Sequence, residues 1–327
     1  MRMLILSRNA SLYSTSRIVL TARAREHDVD VIDPLDFQIV VSKGLASLLV
    51  AGEKVQRYDV VMPRIGASVT NYGLAVVRQF DLMGIPVVNG AVAIARSRDK
   101  LRALQLLTQI GIDVPTTVCA RSPAGLEAAL DLVGGCPAIV KLQQGTQGIG
   151  TMIADTPQAA HSLLETFWAM GQDIVLQEYV RESKGRDVRA IVVGGKVVAA
   201  MRRVAKKGEF RANLHRGAKG TGVELPASYR SAAIRAARSM GLGVAGVDML
   251  EGRRGPRILE INSSPGLEGI ERASGVDVAE AIVIHAEEYA REHGRKTRAQ
   301  VRQRIDEGVA SERRSAVRAA MQKAARS

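Results

Sequence analysis

The first hundred residues alternate short apolar runs with longer stretches in which apolar positions recur at helical spacing. The apolar runs predict strands at Met3–Leu6, Val29–Ile32, Val60–Met62 and Pro86–Asn89. Helices are predicted from Ser14 to about His27 and from Tyr72 to Met83. Strands that are separated by helices favour right-handed βαβ units, so this part of the chain predicts a parallel sheet.

The pattern beyond Ser97 mixes helices with strand pairs. Ser97 is predicted to start a helix that ends near Ile110, where Gly111 is a stop signal. The Gly194-Gly195 pair predicts a hairpin turn. The other elements predicted in this part are strands at Thr116–Cys119, Ala138–Val140, Asp173–Tyr179, Arg186–Val193, Lys196–Met201, Ala245–Leu250 and Arg257–Ile261, and helices capped by Ser122 and at Thr156–Met170, Ala227–Met240 and about Val276–Ala290.

Composition agrees with a soluble α/β protein of two or three subdomains. Hydrophobic residues make up 46% of the 327 positions and aromatic residues only 3%, so the core must consist of Ala, Val, Leu and Ile. No apolar run reaches the length of a membrane span, and the N-terminus is predicted to be a strand, not a signal peptide. Cys119 and Cys136 lack metal-type spacing, so we expect a cytoplasmic protein without a membrane partner.

The net charge of +13 is unevenly distributed. From Arg295 to the end there are ten Lys and Arg against three Asp and Glu, which leaves +6 for the first 294 residues. Two interpretations of this basic tail stay open. It contacts RNA or another acidic partner, or it is a solvated extension.

The last predicted strand pair carries the strongest chemical signal. With its turn centred near Arg254, Asp248 lies across from Glu260, with Cβ atoms roughly 4.5–5.5 Å apart. Two carboxylates at that distance repel each other unless a cation lies between them. Asn262 is expected on the same face, and oxygen ligands suit Mg²⁺. The opposite face predicts an apolar stripe of Val247, Met249, Leu259 and Ile261. The alternative is a chance pair of acids on an exposed hairpin.

Lys141 and the glycines that follow it are candidates for binding phosphate. Lys141 ends an apolar strand, and Gly145, Gly148 and Gly150 allow the backbone N–H groups to approach an anion closely. The spacing is not that of a Walker A loop, and an ordinary hairpin remains the alternative. Lys100 is either a second phosphate ligand or a solvated lysine.

Two further segments suit a nucleotide. Glu178 and Tyr179 end an apolar strand whose polar edge can bind a purine, and Asp187 can accept hydrogen bonds from ribose hydroxyls. The segment between Arg202 and Lys219 contains seven Lys and Arg residues, His215 and a single acid, Glu209. Such a loop suits a triphosphate, an acidic substrate or solvent.

Together these motifs resemble the ATP-grasp superfamily and, within it, the RimK-type α-L-glutamate ligases. The resemblance covers about the first 290 residues and leaves out the tail. The segments that carry it are Ser97–Lys100, Lys141 with Gly145–Gly150, Gln177–Tyr179, Phe210–Gly217, Ala245–Asp248 and Glu260–Ile270.

The resemblance implies an α/β and α+β architecture in two parts. A Rossmann-like pre-ATP-grasp domain is expected over residues 1–97, followed by an ATP-grasp domain over 98–290. The latter consists of a lid-bearing subdomain (98–180) and a metal-binding subdomain (181–290) that clamp ATP. Residues 291–327 form the basic tail.

The resemblance also implies the roles of individual residues. Asp248, Glu260 and Asn262 would bind two Mg²⁺ or Mn²⁺ ions, and Arg211 would offset charge during phosphoryl transfer. Independently of the resemblance, the oxyanion of the second step needs a hydrogen-bond donor, which either Arg202 or Arg203 could supply, and Arg202 is taken as the catalytic candidate. The residues implied to bind ATP are Lys100, Lys141, Gly145, Gly148, Glu178, Tyr179, Asp187, Arg211, Ala212 and Asn213.

The implied activity is that of an ATP-dependent acid–amino-acid ligase. It would add L-glutamate, through an acyl phosphate, to the acidic C-terminus of a ribosomal small-subunit protein, and poly-α-glutamate is a further expected product. A homo-oligomer, a tetramer by similarity, is expected. Two alternatives stay open: a glutamate ligase that acts on a small molecule or cofactor, and a nucleotide-sensing protein that binds ribosomes or RNA.

Overall fold

The N-terminal part of the chain folds around a parallel sheet, as predicted. The computed structural model describes residues 1–43, 45–120, 125–142, 150–214 and 217–293. The sheet has the order β2-β1-β6, and both neighbours of β1 run parallel to it. The elements of this part are β1 (Arg2–Leu6), α1 (Tyr13–Ala24), β2 (Asp28–Ile32), β3 (Phe37–Ser42), β4 (Leu45–Val50), β5 (Glu53–Lys54), β6 (Val60–Pro63), α2 (Thr70–Leu82) and α3 (Ala91–Arg98).

Three features of this part differ from the prediction. Strands β3, β4 and β5 form an antiparallel meander that the sequence pattern did not indicate. The strand predicted at Pro86–Asn89 is wrong, because only a single parallel bridge between Val61 and Val87 forms there. Ser14 does not cap α1; its hydroxyl accepts a hydrogen bond from the distant Leu267 N–H at 2.9 Å.

The helix predicted from Ser97 begins three residues later than expected. Helix α4 spans Lys100–Gln109, while Ser97 and Arg98 belong to the end of the preceding helix, α3. Asp99 lies between them in an extended conformation, and its carboxylate accepts from the Arg102 N–H, so Asp99 is the cap. Ser97 is buried and donates its hydroxyl to the Ile94 carbonyl within α3.

The middle of the chain forms a four-stranded antiparallel sheet of order β7-β10-β8-β9. Two helices pack on it through apolar side chains such as Leu130 and Leu164. The Ser122 cap lies outside the described residues. The elements are β7 (Thr117–Ala120), α5 (Leu126–Leu132), β8 (Ala138–Leu142), β9 (Thr151–Ala154), α6 (Pro157–Ala169) and β10 (Ile174–Glu178).

A five-stranded sheet of order β13-β12-β11-β14-β15 follows. Helix α7 packs on one face, because its buried residues recur at helical spacing on a single stripe: Ala233, Ala236, Ala237 and Met240. The elements are β11 (Arg186–Val193), β12 (Lys196–Val204), β13 (Lys219–Gly222), α7 (Ala227–Met240), β14 (Val244–Gly252), β15 (Gly255–Asn262), α8 (Glu268–Ser274) and a last helix, α9, over residues 278–293. None of the helices in the described ranges is both long and apolar enough to cross a bilayer.

The other face of the five-stranded sheet shares a hydrophobic core with the N-terminal part. Met3 and Ile18, from β1 and α1, belong to the same buried cluster as Ile191, Leu267 and Val283. This shared core fixes the N-terminal sheet against strands β11, β12 and β14 and helices α8 and α9.

Asn89 adds a polar contact across this interface. Its amide nitrogen donates to the Val244 and Ser263 carbonyls, and its amide oxygen accepts from the Gly243 and Val244 N–H groups, at 2.7–2.9 Å. The side chain therefore makes all four hydrogen bonds of which it is capable, although it is buried.

An ion-pair cluster joins α1 to α9. Arg25 donates to both oxygens of the buried Glu287, at 2.6 and 3.1 Å, and His27 contacts the same carboxylate at 2.8 Å. The hydrogen bond from Arg25, with help from His27, lowers the pKa of Glu287 from 4.5 to about 2. The folded state thus favours the charged form.

We expect Glu287→Gln to lower the free energy of unfolding by about 1–2 kcal/mol at pH 7, near the low end for charged hydrogen bonds because Arg25 is partly exposed. A lowered pKa stabilises the fold above pH 4.5, and this contribution is lost as pH falls toward 2. Urea unfolding at several pH values measures both effects. The exposed Glu288→Gln on the same helix is the control. A difference that persists unchanged at pH 3 would contradict the assignment.

Candidate active site

The hairpin of β14 and β15 places Asp248 opposite Glu260 and Gly246 opposite Asn262. The facing pair is as predicted, but the register that produces it is different. The turn pairs Gly252 with Gly255, and a register shift after Asp248 skips Leu259. Without this bulge Asp248 would face Leu259 instead of Glu260.

The bulge also changes the apolar stripe. Ile258 is fully buried and packs with Val247, Met249 and Ile261, whereas Leu259 is only half-buried. The prediction that Leu259 belongs to the stripe is therefore wrong, because the extra residue of the bulge moves that role to its neighbour.

The Asp248 carboxylate is bound by two arginines. Arg189, its partner on β11, donates from Nε and Nη2 to the two carboxylate oxygens at 2.7 and 2.6 Å. Arg203 approaches the Oδ2 atom at 2.9 Å. Burial works to raise the pKa of Asp248, but Arg189 and Arg203 outweigh it and hold that pKa well below its ordinary value.

Arg203 also binds Asp187, so four charged groups form one network. Its Nε and Nη2 atoms each donate to an Asp187 oxygen at 2.6 Å. Burial lowers the pKa of Arg203, but the charges of Asp248 and Asp187 raise it above its ordinary value. We call Asp187, Arg189, Arg203 and Asp248 the charge network. Asp187, Arg203 and Asp248 are each less than 10% exposed.

The charge network leaves Glu260 as the more available carboxylate. A carboxylate has about four acceptor positions, and Arg189 and Arg203 take three of those on Asp248. Glu260 accepts one hydrogen bond from the Asn262 amide nitrogen, at 3.0 Å. Two carboxylates and an amide at adjacent register positions form a hard oxygen donor set, which fits Mg²⁺. Across the described residues, His, Cys, Asp and Glu form no cluster of three that could hold a metal.

Two lysines face this donor set. Lys141 on β8 donates to the Gln177 side chain at 2.6 Å, and Lys100 donates to the Leu142 carbonyl at 3.3 Å. Burial lowers the pKa of both, that of Lys141 to about 8, while the charge of Glu260 acts in the opposite direction on each. Within the described ranges neither lysine makes an ion pair, and their predicted contact with phosphate stays a prediction.

Three other residues were predicted to bind the nucleotide: Glu178, Tyr179 and Asp187. Glu178 accepts from Arg257, at 2.6 and 2.8 Å, and from the Thr116 N–H at 3.1 Å. The hydrogen bond from Arg257 lowers the pKa of Glu178. Tyr179 follows β10 directly and is partly exposed. Asp187 gives two of its acceptor positions to Arg203, so its predicted contact with ribose would use the remaining two.

Arg211 is bound within its own loop. It donates from Nε and Nη2 to the Glu209 carboxylate at 2.9 and 2.8 Å, and from Nη1 to the Thr151 carbonyl at 3.4 Å. It thereby connects this loop to β9. Ala212 is buried and Asn213 half-buried beside it.

Arg202 is not brought to the site. It pairs in register with Val188, whose neighbour is Met249, so it lies on the α7 face of the sheet. There it binds Glu251 at 2.7 and 3.2 Å. The choice of Arg202 as the catalytic candidate is corrected by this geometry, because successive residues of a strand project to opposite faces and Arg203 lies on the Asp248 face.

Several predicted residues fall outside the described residues: Gly145, Gly148, His215 and Arg216. Conversely, the sequence interpretation missed Arg189. Its signal is a charged residue in an otherwise apolar stretch of β11, two positions after Asp187 and therefore on the same face. Asn89 and Arg64 were missed as well, because both act on a segment distant in sequence.

Comparison with known proteins identifies the family. Residues 97–285 match the RimK-like ATP-grasp domain, and residues 1–94 match the RimK PreATP-grasp domain. The chain belongs to the RimK-like ATP-grasp family. A relative from Shewanella frigidimarina, named probable alpha-L-glutamate ligase 2, is 52% identical over 290 residues, which is 89% of this chain and 97% of the relative. The expected enzyme class of this RimK-like chain, a ligase, is confirmed.

Solved structures confirm the expected ATP-grasp fold. The ligase PsnB, complexed with a phosphomimetic variant of its minimal precursor, Mg and ADP, superposes with a TM-score of 0.69 at 23% identity, covering 88% of the RimK-like chain and 98% of PsnB. The D-alanine–D-alanine ligase from Bacillus anthracis, complexed with ATP, has a TM-score of 0.64 at 19% identity, covering 90% and 99%.

Lys141 provides a direct test of this site in the RimK-like chain. We expect Lys141→Ala to raise the KM for ATP by about tenfold or more, because a charge-assisted contact to phosphate is lost. Steady-state ADP release over a range of ATP concentrations measures the change. Lys196→Ala, which removes an exposed lysine at the start of β12, should leave the KM unchanged. Equal KM values for wild type and Lys141→Ala would contradict a role in binding ATP.

Proposed function

We propose that this protein uses Mg-ATP to join L-glutamate, through its amine, to a carboxylate at the acidic C-terminus of a ribosomal small-subunit protein. Repeated addition, and with it poly-α-glutamate, is part of the proposal. The observation that carries the proposal is the facing pair Asp248 and Glu260 beside Asn262, in a chain of the RimK-like ATP-grasp family. Two lysines near Glu260, Lys100 and Lys141, have no carboxylate partner among the described residues.

In the first step the acceptor carboxylate attacks the γ-phosphorus of ATP and ADP leaves, which gives an acyl phosphate. An anion thereby approaches a highly charged nucleotide, so the rate depends on alignment and charge neutralisation. Lys141 and Lys100 would bind phosphate oxygens, and Arg211, Ala212 and Asn213 would close over them from the neighbouring loop. Glu178 and Tyr179 would hold the adenine, and Asp187 the ribose.

Asp248, Glu260 and Asn262 would hold the metal. Two Mg²⁺ or Mn²⁺ ions bound there would neutralise phosphate charge. In the charge network, Arg189 and Arg203 keep Asp248 ionised and fixed in direction. Glu260 has more unoccupied acceptor positions than Asp248 and would therefore be the main carboxylate ligand of the metal.

In the second step the glutamate amine attacks the acyl carbon, loses a proton and expels phosphate, which leaves an amide. The oxyanion that develops on the acyl oxygen needs a hydrogen-bond donor. Arg189 suits this role better than Arg202, because it lies on the Asp248 face and its Nη1 donor takes no partner among the described residues.

The acceptor separates this proposal from its alternatives. A sister activity would place glutamate on a small molecule or cofactor, and the relatives' names do not distinguish the two. A nucleotide-sensing RNA-binding protein is suggested only by the excess of cations after Arg295. Such a protein would have no need of the Asp248 and Glu260 pair. The tetrameric assembly and the cytoplasmic location stay predictions.

The test is to incubate the full chain with Mg-ATP, L-glutamate and purified small ribosomal subunits. We expect glutamate-dependent ADP release and an increase in the mass of one ribosomal protein in steps of one glutamyl residue. Reactions without glutamate, or with aspartate in its place, are the controls. Ligation of a different amino acid, or addition to a small molecule but to no ribosomal protein, would overturn the proposed acceptor.

A further inference from the structure

Arg64 reaches from the N-terminal sheet to the loop that follows the proposed metal ligands. It directly follows β6, and its N–H donates to the Leu6 carbonyl at 2.8 Å, so it lies at the carboxyl edge of the parallel sheet. Its half-buried side chain donates from Nη2 to the Pro265 carbonyl at 2.6 Å.

The loop that Arg64 contacts is close to the donor set. Pro265 comes three residues after Asn262, a stretch that spans at most about 11 Å. It packs on β14, because a Cβ atom added to Gly246 would lie 2.8 Å from the Pro265 Cβ atom. Gly246 in turn pairs with Asn262. The guanidinium of Arg64, which comes from the N-terminal domain, therefore contacts the loop that packs against the strand pair of the donor set.

N-terminal residues hold this loop at several points. Ser14 accepts from the Leu267 N–H, Asn89 donates to the Ser263 carbonyl, and Ser264 donates to the Pro63 carbonyl at 3.4 Å. The position of Arg64 relative to Asn262 is thus fixed by the surrounding structure.

Arg64 differs from three other partly or fully buried arginines in having no carboxylate partner among the described residues. Arg25, Arg203 and Arg257 each bind a carboxylate. Arg64 uses one of its five donors, on a carbonyl, and makes no ion pair within the described ranges. Burial lowers its pKa to about 10, yet it stays charged at neutral pH. A half-buried charge without a partner is costly, which favours an external anion.

Arg98 contacts the segment that follows Arg64, but it uses its donors differently from Arg64. It contacts the Ile65 and Gly66 carbonyls and the Thr70 hydroxyl, so its donors support the loop that carries Arg64. The Arg64 side chain, by contrast, has one hydrogen bond among the described residues, to the Pro265 carbonyl of the loop that follows Asn262.

We propose that Arg64 binds a carboxylate of a substrate and orients it toward the reacting centre across the domain boundary. This inference rests on the proposed function, in which both the incoming glutamate and the acceptor carry carboxylates. A planar guanidinium suits such a group because it can donate two parallel hydrogen bonds. A substrate bound there would contact the N-terminal domain and the five-stranded sheet at once.

The test measures binding by calorimetry on the full chain, saturated with Mg²⁺ and a non-hydrolysable ATP analogue. L-glutamate and a synthetic acidic peptide with a free α-carboxylate are titrated separately. We expect Arg64→Gln to weaken one of the two by about tenfold or more and to leave the affinity for the ATP analogue unchanged. Arg64→Lys should recover part of the loss. The ligand that is weakened identifies which substrate supplies the carboxylate.

Arg2→Gln is the matched control, because Arg2 is a partly buried arginine of the same sheet at its opposite edge, paired with Asp30. It should reduce stability without changing either affinity. If Arg64→Gln binds both ligands within about twofold of wild type, the Arg64 proposal is wrong. If wild type binds the ATP analogue but neither carboxylate ligand, the proposed function itself fails, and the Arg64 site fails with it.

Discussion

Glu260→Ala is expected to reduce ligase turnover by more than about a hundredfold, since even residues that only support metal ligands cost 10–100-fold when removed. Asp248 cannot compensate, because Arg189 and Arg203 occupy three of its acceptor positions. We therefore expect metal binding to depend mainly on Glu260. Steady-state ADP release at saturating glutamate, repeated over a range of Mg²⁺ concentrations, measures the loss.

Glu251→Gln is the matched control for Glu260. Glu251 lies on the same hairpin but binds Arg202 on the α7 face of the sheet. Its replacement should leave the dependence on Mg²⁺ unchanged. Full activity of Glu260→Ala at ordinary Mg²⁺ concentrations would refute the proposed metal site, whatever the acceptor is.

The second large effect is expected from Arg203→Ala. Its removal leaves Asp187 and part of Asp248 without compensation in a buried setting, and breaking a buried ion pair from one side costs about 3–5 kcal/mol. Urea unfolding at pH 7 measures the loss of stability. Activity should fall as well, since the charge network fixes Asp248.

Arg202→Ala separates this effect from a general loss of basic charge. The two arginines are neighbours on β12, but Arg202 is 44% exposed, whereas the Arg203 side chain is 4% exposed. An exposed ion pair contributes about 0–1 kcal/mol, so Arg202→Ala should be nearly neutral. Equal losses of stability for the two variants would show that the charge network is not the source of the effect.

The sequence predicts the alternation of elements better than it predicts what the side chains bind. Apolar runs locate β1, β2, β6 and the hairpin of β11 and β12, because burial imposes a period that is readable locally. The meander of β3 to β5 is missed, since its strands are partly exposed and carry a weak alternation. The start of α4 is misplaced because the helical pattern continues through Asp99, whereas Asp99 caps α4 in an extended conformation.

The candidate site shows the same limit at the level of single residues. The sequence pairs Asp248 with Glu260 by placing the turn near Arg254, but the pair exists because a bulge at Leu259 compensates for a tighter turn. The facing carboxylates also receive positive charge from the protein itself, which the sequence pattern did not indicate. Arg189 and Arg203 supply positive charge from β11 and β12, and only the register between strands reveals them.

The strand register is also needed to decide which of Arg202 and Arg203 lies on the Asp248 face of the sheet. Either residue can face Asp248 until the pairing of β12 with β11 is known, because a shift by one position exchanges the two faces. The contacts of Asn89 and Arg64 are even harder to predict from the local sequence pattern. Their partners are 155 and 201 residues away along the chain, where single-sequence periodicity carries no information.

The hydrophobic core that β1 and α1 share with β11, α8 and α9 has a consequence for unfolding. The boundary near residue 97 separates two sequence modules, but we do not expect it to separate two cooperative units. Unfolding residues 1–94 alone would expose the buried faces of Ile191, Leu267 and Val283 to water, at roughly 1.5–3 kcal/mol for each such side chain. The N-terminal module therefore acts as part of the hydrophobic interior of the catalytic one, and the two are expected to melt together.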